Sequence, residues 1–452
     1  MDCQRSRHTR APLPTRCPLT GTDDDRDDGR ALDRTLNSVI TWIGPAGQAA
    51  DGPLSDLRVG LKDNIDVAGI PTTCASDFFR DRLAACDANV VTQLRAAGAQ
   101  ISAKLNMAEF AVGVTSQNSA FGACRNPWNP DRVPGGSSGG SGVAVAAGLM
   151  DAALGTDTGG SVRLPAAVCG VAGLRPTVGR ISTAGVFPVS STLDTVGPLA
   201  RTVADVARVF AALAGPDRAP AGLATGRLGI PTHFFSEGVD PGVSQVMSAA
   251  ADQFAALGME LVGVPLPGVE TAQGVAYTLV YSELAALHRQ RLQKAPGTFQ
   301  AETLTRIRLG LPLTQADRVA AFRHRAAFQA ALDDVFLRVD AILTPTLPVD
   351  VPSLQGGNVV EMSRRLGQFT YPWSLHAGPT LALPVGYHPD SGMPVGAQLT
   401  AAAGQEAPLF ALGAAYQERT SWHRSRPALS LDDTRAGQRP GPDALRGPVC
   451  RR

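Results

Sequence analysis

Short apolar segments of strand length alternate along most of the chain with longer segments whose apolar residues recur every three or four positions. No other property narrows the fold as much, because such alternation builds sheets covered by helices. Asp87 is placed to cap a helix ANVVTQLRAA that Gly98 stops, and the strand-like AQISAKL follows. Thr202 precedes VADVARVFAALAG, Pro241 suits the first turn of a helix reaching Leu257, and ELVGVPL reads as a strand. The longest helical pattern runs from Thr314 to about Val339 and leads into AILTPT. We therefore expect an α/β chain with a covered, mostly parallel sheet.

With 452 residues, 44% hydrophobic and 18% charged, the chain can bury a large core. Residues 1–30, containing DDDRDD, and 428–452, rich in Arg, Pro and Gly, read as loose tails around one domain spanning 31–427. A net charge of +1 supplies no global field for nucleic acid or an anionic membrane. No apolar run of membrane-spanning length and no secretion signal is present. The seven cysteines are an odd count without zinc spacing, which suggests reduced thiols and a cytoplasmic setting. Neither a metal nor a cofactor is expected.

Of 41 basic residues only Lys62, Lys104 and Lys294 are lysines. Lys62 stands where the alternating strand LRVGLK runs out. An arginine keeps its proton in a protein, whereas a buried lysine amine can be neutral near pH 7 and act as a base. Alone, it also fits an ordinary surface lysine.

A second element is RVPGGSSGGSGVAVAAGLM, residues 132–150, pinned by Pro134 and a small-residue helical run. Such glycines let backbone approach a ligand closely. It lacks the G-K-[ST] of a phosphate loop, and Val145 breaks a dinucleotide fingerprint. It does contain G-x-S-x-G twice, so a serine esterase with a nucleophile elbow at Ser137 is a competing class. His233, His288, His324, His376, His388 and His423 are its candidate bases.

The third element is ALGTDTGGSVRLPAAVCGVAGLRPT, residues 153–177. Backbone N–H groups from Thr158, Gly159, Gly160 and Ser161 are placed to converge on one oxygen, as an oxyanion hole requires. Asp157 and Arg163 flank the serine and suit an ion pair that supports the loop.

Lys62 in VGLKDN, Ser137 in PGGSSGGSG and Ser161 in GTDTGGSVRLP resemble the three motifs of the amidase signature family, in order and with its 24-residue serine spacing. The likeness continues through LNMAEFAVG, NSAFGACRNPWNPDRVPGG and STLDTVGPLARTVAD, although Ala108 replaces the acidic residue usual before the EF pair.

The resemblance implies a single α/β domain, with a large mixed sheet sandwiched between helical layers, and a Ser-Ser-Lys amidohydrolase. Ser161 would attack the amide carbonyl, Ser137 would relay the proton to neutral Lys62, and an acyl-enzyme would follow. It also implies a cis peptide at Gly136–Ser137 and a supporting role for Ser138. Tyr371, Trp373 and His376 stand where the family lines its acyl pocket. The expected partner is a small amide, without direct nucleic-acid or membrane contact, and a homodimer is left open. Family members include stand-alone amidases and the glutamyl-tRNA amidotransferase A subunit, which frees ammonia from glutamine for a partner protein.

Overall fold

The computed structural model describes residues 23–44, 51–215, 226–354 and 358–431. Eleven strands form one sheet: β1 (Val39–Trp42), β2 (Arg58–Lys62), β3 (Gln100–Leu105), β4 (Ala152–Asp157), β5 (Ala172–Arg175) and β6 (Thr195–Ala200) come first. They are followed by β7 (Gly226–Pro231), β8 (Met259–Val264), β9 (Ala341–Pro345), β10 (Thr380–Tyr387) and β11 (Pro394–Thr400). Their spatial order is β1-β3-β2-β4-β6-β5-β10-β11-β9-β7-β8.

The sheet is mixed, which corrects the mostly parallel expectation. Four strand pairs are parallel, β2 with β3 and β4, and β7 with β8 and β9; the other six are antiparallel. Strands covered on both faces are apolar whichever way they run, so their composition carries no direction.

One face is covered by α2 (Asn89–Ala96), α5 (Val203–Ala214), α6 (Pro241–Ala256) and α12 (Glu406–Arg419), through residues such as Val90, Phe210, Phe254 and Leu409. Against the other lie α3 (Gly139–Ala146) and α4 (Arg163–Cys169), with α1 (Asp23–Leu36) beside them. A third apolar cluster joins α7 (Val269–Lys294), α8 (Ala301–Leu309), α9 (Gln315–Phe336) and α11 (Tyr371–His376), with α10 (Val359–Gly367) nearby.

Local chemistry sets several ends. Thr202 Oγ1 accepts from Asp205 N at the start of α5, and Pro241 occupies the first turn of α6. Thr314 and Asp317 close a capping box on α9. Asp87 does not cap α2: its carboxylate accepts from Ala68 N at 2.8 Å and pairs with Arg95, while Ala88 holds the cap position without a side-chain bond. Among the described residues the longest helix is α7, with 26 residues against 22 for α9.

The domain boundaries also shift. α1 begins at Asp23, inside the stretch expected to be a loose tail, and Leu429 and Leu431 pack against the core cluster of α3 and α4. Residues 1–22 and 432–452 lie outside the described residues. No helix among the described residues is long and apolar enough to cross a membrane.

Candidate active site

Lys62 ends β2, and the parallel pairing of Leu61 with Leu154 brings it alongside the end of β4. Its side chain is fully buried. Lys62 Nζ donates to Ser137 Oγ at 2.7 Å and to Thr156 Oγ1 at 2.7 Å. Burial pushes the amine down to about 7, against Asp194 and Asp157, whose negative charges pull it up.

Ser137 sits on the loop before α3, and its peptide bond with Gly136 is cis. Its carbonyl accepts from Ala108 N at 3.1 Å and from Ser116 Oγ at 3.3 Å. Ser116 Oγ also accepts from Gly139 N at 3.0 Å, so this one hydroxyl holds both sides of the loop. A Cβ on Gly136 would stand 2.8 Å from the Val114 carbonyl carbon, which is why the loop needs glycine there. Ser138 laces the loop to its neighbours: Oγ donates to Thr156 O at 3.2 Å, and N donates to Ser161 O at 3.3 Å.

Ser161 lies on the turn between β4 and α4 and lines a cleft. Among the described residues nothing hydrogen-bonds Ser161 Oγ. Gly160 N is not a free donor, because it gives its hydrogen to Asp157 Oδ1 at 2.8 Å. Thr158, Gly159 and Ser161 keep unengaged N–H groups on this loop.

Asp157 meets Arg163 Nη2 at 2.9 Å and Arg175 Nη1 at 3.3 Å, all three side chains fully buried. Burial opposes its charge, but the two guanidiniums overcome this and hold the carboxyl well below the usual carboxylate range.

The cleft wall differs from expectation in two of three residues. Tyr371 lines the cleft beside Gly159 and Ser161. Trp373 is fully buried, stacks on Phe235 at 5.4 Å and donates from Nε1 to Thr344 Oγ1. His376 packs 5.0 Å from Phe336 and does not reach the cleft. All three lie on the short α11, where positions two and five residues on from Tyr371 point elsewhere. Tyr277 and Tyr281 of α7, Arg306 of α8 and Ser363 of α10 line the cleft instead. Tyr277 stacks on Tyr281 at 5.0 Å and meets Tyr371 edge-on at 4.8 Å.

Thr156, Asp194, Arg175 and Ser116 carry no individual signal in the sequence. Thr156 stands inside GTDTGGS and Asp194 inside STLDTVG, so the signal is the motif itself, without any indication of which polar residue does the holding. No histidine hydrogen-bonds either serine among the described residues. His388 pairs with Asp240 at 2.7 Å and His233 with Glu270 at 3.2 Å, so the base an elbow serine would need is not beside Ser137.

A mixed eleven-stranded sheet that seats a buried lysine beside paired Gly/Ser loops is the architecture of amide-hydrolysing enzymes. The chain belongs to the amidase family, whose profile matches residues 44–410. It is 38% identical to the A subunit of the glutamyl-tRNA(Gln) amidotransferase of Symbiobacterium thermophilum, covering 86% of this chain and 88% of that one. A crystal structure of an amidase superposes with a TM-score of 0.81 at 33% identity, covering 88% of this chain and 95% of that chain. The A subunit of the Thermotoga maritima glutamyl-tRNA(Gln) amidotransferase gives 0.79 at 29% identity, covering 90% and 94%.

Proposed function

We propose that this amidohydrolase cleaves a small primary carboxamide to carboxylate and ammonia through an acyl-enzyme on Ser161. The observation that carries this reading is the fully buried Lys62 amine, 2.7 Å from Ser137 Oγ, where burial lowers its pKa. Lys62 takes the Ser137 proton while Ser137 takes the Ser161 proton, and Ser161 Oγ adds to the carbonyl carbon. The N–H groups of Gly159 and Ser161, with that of Thr158, receive the oxygen as it becomes negative. The relay then runs backward: Lys62 returns its proton to Ser137, Ser137 protonates the departing nitrogen, and the C–N bond breaks. Water hydrolyses the remaining ester by the same route. No hydrogen bond joins the Ser137 and Ser161 side chains among the described residues, and bonds of this kind commonly tighten when substrate binds.

The relatives favour glutamine as the amide, with ammonia passing to a partner protein, since those compared at 38% identity are amidotransferase A subunits. The solved amidase favours a stand-alone hydrolase. Arg306, paired with Glu302, and Ser363 supply polar groups to a cleft otherwise walled by tyrosines and aliphatic side chains. Ammonia release from glutamine and from a panel of simple amides, with and without the other components of a related amidotransferase, decides. Turnover that survives Ser161→Ala would overturn the whole reading.

A further inference from the structure

Two carboxylates act on the charge of Lys62, the fully buried Asp157 and the partly exposed Asp194, and they are held very differently. Asp157 is matched by Arg163 and Arg175. Asp194 is matched by no cation: its Oδ1 accepts from Thr158 Oγ1 at 2.6 Å, and its Oδ2 from Val189 N at 2.8 Å and Ser190 N at 3.1 Å. No ion pair to Asp194 exists among the described residues. A partly buried anion held by hydrogen bonds alone keeps its charge available to a cation that forms nearby.

The topology explains its place. β4 and β6 pair antiparallel with Asp157 opposite Thr195, so Thr158, just after β4, faces Asp194, just before β6. Thr156 and Thr158 are two residues apart: the first accepts from Lys62 Nζ, and the second is held by Asp194. The loop carrying Asp194 is itself fixed to α7, because Ser190 Oγ donates to Glu283 at 2.6 Å.

We propose that Asp194 is a positioning residue with two tasks: it supplies the counter-charge for Lys62 when that amine takes up the serine proton, and it anchors Thr158 at the head of the N–H donor loop. This rests on the reading of Lys62 as the proton acceptor. The other groups around Lys62 do not serve. Asp157 is already neutralised, Cys74 is a fully buried thiol that burial keeps protonated, and Ser137 and Thr156 are uncharged. Asp63 is paired with Lys104 at 2.8 Å. When the proton moves from Ser137 Oγ to Lys62 Nζ, positive charge appears at the lysine as negative charge appears at the substrate oxygen. Asp194 lowers the cost of the first, and Thr158 places donors for the second.

Because the chain has only three lysines, Lys62 can be followed directly by NMR in protein labelled with ¹³C at lysine Cε, assigned by comparison with Lys62→Met. Asp194→Asn removes the charge and keeps one acceptor oxygen for Thr158, while its amide nitrogen cannot accept from Val189 N and Ser190 N, so some melting temperature is lost. Its Lys62 midpoint and the acid limb of kcat/KM should both fall by about one pH unit. Thr158→Val removes the anchor but keeps the charge, and should lower kcat while leaving the Lys62 midpoint in place. Asp194→Asn with an unmoved or raised midpoint overturns the proposal, as does Thr158→Val shifting it equally. If Asp194→Asn does not fold, Thr158→Val alone still decides whether anchor and charge are separable. The NMR midpoint is read without turnover, so failure here is distinguishable from failure of the hydrolase reading, which Ser161→Ala tests.

Discussion

Replacing Gly159 by alanine should be far more damaging than its chemistry suggests. The residue is not among those with positive φ, so alanine meets no backbone penalty there. The obstacle is Tyr371. A Cβ at 159 would stand 2.3 Å from Tyr371 Cε1 and 2.4 Å from Cζ, where non-bonded carbons need about 3.5 Å or more. Ring or loop must therefore move by roughly 1.2 Å. The ring's retreat is limited by Tyr277, which stands edge-on at 4.8 Å. Overpacking of this kind costs about 1–3 kcal/mol of stability. A donor loop displaced by about 1 Å loses on the order of 10²-fold in rate. Ammonia release should thus fall about a hundredfold in Gly159→Ala, with folding retained by circular dichroism. Adding Tyr371→Ala, which vacates the ring's space, should recover most of that loss, giving a non-additive cycle. A Gly159→Ala enzyme with near-normal kcat/KM, or a loss that Tyr371→Ala does not relieve, would refute the claim that the ring presses on the donor loop.

In the proposed relay Lys62 works as the free amine, and burial lowers it to about 7, so kcat/KM should rise with pH and level off above about 8, falling roughly tenfold per unit below 6; a flat profile from pH 5 to 8 would remove it as the base. Lys62→Arg should cost nearly as much as Ser161→Ala in the ammonia assay, since arginine stays charged. His288 is buried among Phe110, Phe187 and Phe299 with neither ring nitrogen bonded, and burial, aided by Arg291, pushes it down to about 3. A base with a lowered folded pKa contributes stability that is whole above about 6.5 and shrinks as pH falls, by about 2 kcal/mol at pH 5. Denaturant midpoints at pH 7.5 and 5 should therefore converge in His288→Leu relative to the parent protein.

The proposed catalytic trio could be read from the chain because its residue types and spacings are chemically restrictive, and the structure places Lys62 and Ser137 in contact. The cap at Thr202 was legible for a similar reason, since a short polar side chain before an apolar period has one common use. Asp87 looked the same but is drawn away by Ala68 N and Arg95, partners remote enough that local pattern cannot reveal them. The length of α7 was hidden because it buries side chains on several sides, against α8, α9 and α11, and so carries no single apolar stripe. Thr156 and Asp194 act through bonds between strands separated by 36 or more residues, and only the pairing of β4 with β6 and β2 brings them into view.

The scarcity of lysine has a practical sequel. Lys62 and Lys104 are sealed inside the protein, whereas Lys294, at the end of α7, faces solvent. Among the side-chain amines of the folded molecule, acylating reagents should therefore couple at Lys294 alone, leaving the Lys62 amine out of reach.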